Sequence, residues 1–170
     1  MNVMVDIETL GQSHTAVILS IGAVIFDQKG SVQDEFYRNI TIPHQYKDKF
    51  TTDQSTIDWW KQQDKKIIKS LGIDKQPLDK VLDDFIAFFP KESDTRFWSR
   101  GCFDAPILTH AFKALNKYTP WHWANEMDLR TLTNFFNIDK PKNKSAHNAL
   151  ADCHAQLEHL KILLKLLGVE

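Results

Sequence analysis

The stretch that decides the fold reads Val3-Met4-Val5-Asp6-Ile7-Glu8-Thr9-Leu10-Gly11. Apolar and acidic residues alternate along it, and a period of two is typical of a β-strand. Side chains two residues apart in a strand project to the same face, so Asp6 and Glu8 should stand side by side. We therefore predict a first strand that carries two neighbouring carboxylates and ends at the glycine.

Two more strands are predicted to follow. The run from Ala16 to Phe26 is almost wholly apolar, as expected for a strand covered on both faces. Lys29-Gly30 supplies a turn, and residues 32–42 then mix apolar and polar residues before Pro43. Three strands joined in this way predict an antiparallel meander.

After the meander the apolar residues mostly recur at helical spacing, interrupted by a short strand at Arg96-Phe97-Trp98. Helices are predicted after Ser55, from Pro77 to Pro90, over residues 107–115, from about Asp128 and over residues 150–167. The last helix has the clearest apolar stripe, which consists of Leu150, Cys153, Leu157, Leu160, Leu164 and Leu167. Strands that come first and then alternate with helices predict an α/β fold.

Composition favours one globular domain spanning residues 1–170. The chain is 42% hydrophobic and 25% charged, with a net charge of −1, a balance that argues against a disordered or fibrous protein. We expect no signal peptide and no membrane partner, and Cys102 and Cys153 as free thiols in the cytoplasm. With so little net charge, a nucleic-acid partner would have to be held by a local basic patch.

The acidic residues carry the chemical prediction. Two adjacent carboxylates raise each other's pKa unless a cation lies between them, and divalent cations with oxygen ligands are the usual solution. A lone Asp-x-Glu could equally point into water. Asp104 opens a predicted helix directly after a short strand, where a helix cap is the alternative role. Asp152 lies off the leucine stripe, near the start of the last helix.

These motifs, in this order, resemble those of the DEDDh 3′–5′ exonucleases, which are DnaQ-like members of the RNase H-like superfamily. The matching residues are Asp6-Ile7-Glu8, Phe103-Asp104 and His147-x4-Asp152, supported by residues 20–27 and 127–132. Residues 56–63 further resemble a Trp-Trp motif in small exoribonucleases, a subgroup that includes the adenylate-specific RNase and related phage exonucleases. The resemblance spans nearly the whole chain and implies an RNase H-like α/β fold, with a central mixed five-stranded sheet flanked by helices.

The resemblance also implies a mechanism. Asp6, Glu8, Asp104 and Asp152 would hold two Mg²⁺ or Mn²⁺ ions, and His147 would act as the general base. The reaction would remove nucleoside 5′-monophosphates from the 3′ end of single-stranded RNA or DNA, with RNA favoured. An offset of five residues is about 140° on an ideal helix, so His147 and Asp152 can reach one site only if the helix starts close to His147.

Three further residues are candidates for binding substrate. Leu10 would press against the terminal base, or could equally be core. Trp60 belongs to the apolar stripe of its helix, which leaves Trp59 to stack on a base or to cover a subunit interface. Arg100 stands where the family often has the asparagine of a His-Asn-Ala sequence, a departure that bears on substrate preference.

Lys144 is the fourth candidate. With Lys140 and Lys142 it lies just before His147, well placed to meet phosphates, although a solvated loop is the alternative. Asp128 is interpreted as a helix cap and not as a fifth metal ligand.

Other functions remain open at this stage. A DNA-directed exonuclease of the same family is the nearest alternative. A metal-dependent endonuclease would have a similar acidic cluster, but His147 argues against it. A non-catalytic binding module has no need of four carboxylates that repel phosphate. Relatives often form dimers, so a homodimer is one expected state.

Overall fold

The computed structural model of the protein describes residues 1–141 and 147–168. Within these ranges the strands are β1 (Asn2–Thr9), β2 (Ile18–Phe26), β3 (Val32–Thr41), β4 (Gln76–Pro77), β5 (Arg96–Ser99) and β6 (Glu126–Asp128). The helices there are α1 (Gln54–Trp60), α2 (Lys65–Ser70), α3 (Leu78–Phe88), α4 (Asp104–Ala114), α5 (Leu129–Phe135) and α6 (Ala149–Leu166). Two short 3₁₀ turns lie at His44–Lys49 and Trp123–Asn125.

All six of these strands form one mixed sheet in the order β4-β3-β2-β1-β5-β6. The strands β1, β2 and β3 pair antiparallel, which confirms the predicted meander. On the other side of β1, the strand β5 pairs parallel to β1, and β6 pairs parallel to β5. The strand that carries the acidic pair, β1, therefore lies inside the sheet between β2 and β5.

The two faces of the sheet are covered by different helices, as the alternation in β1 requires. Val3, Val5 and Ile7 pack in a core cluster with residues of α3 and α4. Met4 packs in a second cluster with residues of α5 and α6. Because Asp6 and Glu8 share the parity of Met4, they lie on the α6 face.

The α/β class and the long elements agree with the sequence prediction, but the sheet has six strands in place of five. The additional strand, β4, has two residues that pair with Ile40 and Thr41, too few to produce a periodic signal. Leu167 is exposed, whereas Leu163 lies in the core. The buried stripe of α6 therefore ends one turn earlier than the leucine pattern predicts.

Both cysteines are free thiols, as predicted: Cys102 is exposed and Cys153 is buried. Across residues 1–141 and 147–168, no helix combines the length and the apolar character needed to cross a bilayer.

Candidate active site

The strand β1 presents Asp6 and Glu8 on one face at its carboxyl end. In the antiparallel register Asp6 lies opposite Gly22 and Glu8 lies opposite Ser20. Glu8 is only 9% exposed. The first two carboxylates are thus fixed by the antiparallel pairing of β1 with β2.

Gly22 allows the third carboxylate to join them. A Cβ atom at Gly22 would overlap the carbonyl carbon of Ala149 and the amide nitrogen of Leu150. The first turn of α6 therefore rests directly on β2, beside Asp6. As a result, Asp152 offers a carboxylate oxygen that lies within 4.8 Å of oxygens from Asp6 and Glu8.

Asp104 reaches the same centre from the opposite side of β1. It is the first residue of α4, and its Oδ1 accepts a hydrogen bond from the Ile7 amide at 3.1 Å. Its side chain lies outside the group of three, but its charge raises the pKa of both Asp6 and Glu8. The structure thus brings all four predicted carboxylates into one electrostatic neighbourhood.

Burial and mutual repulsion perturb these groups strongly. Burial, followed by the charges of the neighbouring carboxylates, raises the pKa of Asp6 well above its ordinary value. Burial, followed by the charges of Asp152 and Asp104, raises the pKa of Glu8 to about 8. Burial raises the pKa of Asp104 to about 7, against the opposing effect of the hydrogen bond from Ile7.

Such a cluster suits a divalent cation. Hard cations such as Mg²⁺ and Mn²⁺ prefer carboxylate oxygens, and positive charge within the cluster would restore the ionised forms that crowding disfavours. Asp6, Glu8 and Asp152 have the donor type and the convergence that such an ion needs. Zinc sites, by contrast, usually include nitrogen or sulfur ligands.

Gln156 is a member of the centre that the sequence prediction did not assign. It lies one turn after Asp152 on α6, is buried, and its Nε2 donates to Asp6 Oδ1 at 2.6 Å. This hydrogen bond favours the ionised form of Asp6 and opposes the rise in its pKa. The i+4 spacing places Gln156 on the same helix face as Asp152. A glutamine at that spacing is not part of any motif that we recognised, so the sequence did not single it out.

His147 lies at the start of α6, as predicted. The helix begins at Ala149 with Asn148 as its N-cap, and His147 adopts a left-handed backbone conformation with φ of 70°. Its amide donates to Asp152 Oδ2 at 2.9 Å, and its ring meets the ring of Trp59 edge to face at 4.8 Å. The imidazole is therefore held between the acidic centre and α1.

A cavity of about 380 Å³ opens beside Glu8. It is lined by Ile7, Glu8, Thr9, Gly11, Gln12, Ser55, Thr56, Trp59, Trp60 and Phe103. Asp53 holds its two walls together, because its Oδ2 accepts from the Gln12 amide at 2.7 Å and its own amide donates to Leu10 O at 2.8 Å. The volume falls within the usual range for small-molecule sites.

The two tryptophans divide as the sequence predicts. Trp60 is buried and donates from Nε1 to Thr9 O at 2.8 Å, which anchors α1 to the end of β1. Trp59 is 40% exposed and forms part of the cavity wall. A large aromatic surface is thereby available to a ligand in the cavity.

Leu10 is not on the wall of this cavity. It lines a separate cavity with Val17 and Leu19. The register of β1 shifts between Glu8 and Thr9, so the alternation that places Glu8 in the site does not extend to Leu10. The structure therefore places Leu10 outside the cavity beside Glu8, and its contact with a terminal base stays a prediction.

Of the two remaining candidates for substrate binding, Arg100 and Lys144, the structure describes only Arg100. Arg100 directs Nη1 to His159 Nδ1 on α6 at 3.0 Å and is absent from the cavity wall. Lys144 lies outside the described residues. Asp128 is the N-cap of α5, as predicted, and its Oδ1 accepts from the amides of Arg130 and Gly101.

Comparison with known sequences points in the same direction as the geometry. A family model described as the 3′-5′ exoribonuclease Rv2179c-like domain matches residues 1–164. An exodeoxyribonuclease of Enterobacteria phage T4 is 24% identical, over 95% of this chain and 88% of the phage protein. This match agrees with the predicted likeness to phage exonucleases.

Solved structures match the fold. Exonuclease I from Methylocaldum szegediense aligns with a TM-score of 0.72 and 13% identity, covering 96% of this chain and 40% of that one. The zinc-bound complex of E. coli exonuclease I with single-stranded DNA aligns with a TM-score of 0.70 and 15% identity, covering 98% of this chain and 41% of that one. The chain thus spans about 40% of the length of these structures. They confirm the RNase H-like fold that the motifs imply.

Proposed function

We propose a function from one premise: the chain belongs to the family of Rv2179c-like 3′–5′ exoribonuclease domains. On this premise the protein hydrolyses single-stranded nucleic acid from the 3′ end, with two Mg²⁺ or Mn²⁺ ions, and releases nucleoside 5′-monophosphates. The observation that carries the proposal is the convergence of carboxylates from β1 and α6 beside a cavity with an aromatic wall, with Asp104 of α4 bound to the Ile7 amide of β1. These carboxylates come from segments that are distant in the sequence, so only the folded chain brings them close together.

The charge balance supports two divalent ions. Four ionised carboxylates carry −4, which two such ions would neutralise, and Asp6, Glu8, Asp104 and Asp152 are the groups that would hold them. When bound, ions of this kind lower the pKa of an attacking water and stabilise the oxygen that leaves. Asp6 is central to this set, because Gln156 fixes one of its oxygens and the other three carboxylates surround it.

His147 is the proposed proton acceptor. Imidazole exchanges protons near neutral pH, which suits a group that must take a proton from water. Its backbone amide binds Asp152 and its ring rests against Trp59, so the side chain stays at the edge of the acidic centre. The proposed base is therefore held in position by Asp152, a member of the acidic centre.

The cavity beside Glu8 is the proposed site of the 3′-terminal nucleoside. Trp59 and Phe103 offer aromatic surface for the base. Ser55 and Gln12, which carry a hydroxyl and an amide group, line the same wall, and groups of this type can recognise a 2′-hydroxyl. RNA is favoured for this reason and for the subgroup resemblance of residues 56–63.

DNA is the second candidate substrate. The T4 relative is an exodeoxyribonuclease, and the matched E. coli structure holds single-stranded DNA. Matched 5′-labelled RNA and DNA oligomers, incubated with Mg²⁺ and with Mn²⁺, separate the two. Faster shortening of RNA from the 3′ end is expected, and a clear preference for DNA would overturn the RNA assignment.

Two controls test the reaction class. A circular single-stranded substrate should resist the protein, because an exonuclease needs an end, and its cleavage would indicate an endonuclease. Calorimetric titration with Mn²⁺ should give heat for the wild type and much less for Asp6→Asn. Absence of heat in both proteins, together with absence of nuclease activity, would favour a non-catalytic binding module.

A further inference from the structure

Arg100 lies in the loop that joins β5 to α4, the guanidinium of Arg130 packs against Gly101 of that loop, and the charge of Lys140 acts on His159, which Arg100 contacts. We call Arg100, Arg130 and Lys140 the basic cluster. Burial, followed by the charge of Arg130, lowers the pKa of Arg100. Burial, followed by the charge of Arg100 and a smaller effect of Lys140, lowers the pKa of His159. Like charges are thus gathered in one neighbourhood of a chain whose net charge is −1.

Arg130 has a prepared position in this cluster. A Cβ atom at Gly101 would lie 3.0 Å from Cζ and from Nη1 of Arg130, so the guanidinium packs against the bare backbone of Gly101. The φ of 96° at Gly101 also favours glycine there. Asp128 Oδ1 accepts from the Gly101 amide at 2.7 Å and from the Arg130 amide at 2.8 Å, which fixes the loop and α5 together.

Arg100 and His159 complete the arrangement. Arginine can only donate hydrogen bonds, so the contact at 3.0 Å requires an unprotonated Nδ1 on His159. Neutral His159 therefore orients Arg100 without neutralising its charge. The carboxylate of Asp128 is nearby but already accepts from Gly101, Arg130 and Thr131. The charge of Asp128 offsets part of the positive charge, as its effect on the pKa of Arg100 indicates, and the two remaining cationic charges of the basic cluster are available to an anion.

The loop links this cluster to the acidic centre. Phe103 lines the cavity beside Glu8, whereas Gly101, two residues earlier, contacts Arg130. Burial raises the pKa of Asp104, and the charge of Arg130 acts against that rise. A nucleic-acid strand with its 3′ nucleoside in the cavity and its terminal phosphodiester at the carboxylates can therefore continue across the loop to Arg130.

We propose that Arg130, assisted by Arg100 and Lys140, binds the phosphodiester immediately 5′ of the one that is cleaved. This inference rests on the proposed function, since that function defines which bond is cleaved. A guanidinium pairs with phosphate through two parallel hydrogen bonds, which a point charge cannot reproduce. The basic cluster also offsets the repulsion that the acidic centre exerts on the next phosphate of the substrate.

Substrates of different length test this assignment. A dinucleoside monophosphate contains only the scissile phosphate, whereas a trinucleotide adds the phosphate assigned to Arg130. In Arg130→Gln the ratio of kcat/KM for the trinucleotide to that for the dinucleoside monophosphate should fall about 10- to 100-fold, the range expected for a charge-assisted hydrogen bond. In Arg130→Lys this ratio should fall less than in Arg130→Gln, because lysine retains the positive charge.

Arg96→Gln is the matched control. Arg96 is an exposed arginine at the opposite end of β5, so its removal should leave the ratio unchanged. Thermal melting of all variants shows whether each is folded. An unchanged ratio in folded Arg130→Gln would overturn the proposal, as would an equal loss on both substrates, which would place Arg130 at the scissile phosphate or at Asp104.

Binding measurements separate this proposal from the proposed function. Anisotropy of labelled trinucleotide, titrated at several salt concentrations, should show weaker binding for Arg130→Gln and a log–log salt slope smaller by about 0.7. If the wild type cleaves neither substrate but this difference in binding persists, the phosphate site stands and the nuclease assignment fails. If binding is also unchanged, the phosphate site is wrong as well.

Discussion

Replacing Glu8 with glutamine should stabilise the metal-free protein in alkaline solution while it weakens metal binding. Glu8 is buried, and its pKa rises from 4.5 to about 8 in the folded chain. The folded protein therefore holds a proton on Glu8 more tightly than the unfolded chain does. Stability from this group is fully present below about pH 4.5 and is lost as the pH rises through 8.

The magnitude follows from the size of the shift. At 1.36 kcal/mol for each pKa unit, a rise from 4.5 to about 8 corresponds to about 5 kcal/mol of folding free energy as an upper limit. Glutamine has the same shape and no charge to lose. The free energy of unfolding of Glu8→Gln, relative to wild type, should therefore increase by several kcal/mol between about pH 5 and about pH 8.5.

Urea denaturation in EDTA at these two pH values measures the effect. The comparison across pH removes any constant cost of the new amide group, because that cost is the same at both values. Glu92→Gln, at an exposed position in the turn before β5, is the control and should follow the wild type. Adding Mg²⁺ at high pH should stabilise the wild type by RT ln(1 + [L]/Kd) and the variant by less.

A difference between Glu8→Gln and wild type that does not change with pH would refute this reasoning. It would mean that Glu8 ionises without penalty in the fold, and that burial and the neighbouring carboxylates do not constrain it. Equal stabilisation of the two proteins by Mg²⁺ would instead exclude Glu8 from the metal site while leaving the electrostatic argument intact.

The other expected outcomes concern the remaining parts of the site. His147→Ala should lower kcat by about 10²- to 10⁴-fold at neutral pH, with metal binding by calorimetry unchanged; full activity would remove it as the general base. Gly22→Ala should destabilise the protein by about 1–3 kcal/mol in urea and reduce activity, because the added methyl group meets the backbone of α6. Gly72→Ala is its control, since a Cβ there would lie 3.3 Å from the Lys69 carbonyl oxygen and more than 4 Å from every other atom outside residues 71–73. Trp59→Ala should raise KM by about 5- to 150-fold if a base stacks on it, whereas Trp123→Ala, 77% exposed in a separate turn, should not.

Local patterns in the sequence predicted the shared face of Asp6 and Glu8 and the helix start beside His147, whereas Asp104 and Asp152 joined the predicted site through the family resemblance. Alternation along β1 gives the shared face of Asp6 and Glu8, and the five-residue offset between His147 and Asp152 requires a helix that begins between them, as α6 does at Ala149. The contact of Leu10 with a terminal base was implied by the family resemblance and not by this alternation. The structure places Leu10 at a separate cavity, beyond a register shift of β1 that no residue type in that stretch predicts.

Contacts between distant segments were out of reach for a different reason. Arg100 occupies a family position associated with substrate, yet its hydrogen-bond partner is His159, 59 residues away on α6. Arg130 lies two residues after the capping residue Asp128, and its sequence context predicts only an exposed residue of a short helix. The packing of its guanidinium against Gly101 places it beside the loop that leads to Asp104. Such positions depend on how helices dock on the sheet, which no single segment specifies.

The docking of α6 on Gly22 explains why the site and the fold depend on each other. The contact brings Asp152 and Gln156 to Asp6, and the charge of Asp152 adds to the effect of burial, which is the main cause of the raised pKa of Asp6 and Glu8. The same contact creates the group of oxygens that a divalent cation prefers. Metal binding should therefore stabilise the first turn of α6 more than any other helix end. Hydrogen exchange with and without Mn²⁺ tests this directly: added protection should centre on residues 149–153, and uniform protection across α6 and α3 would argue that the ion stabilises the whole fold without a specific effect on this contact.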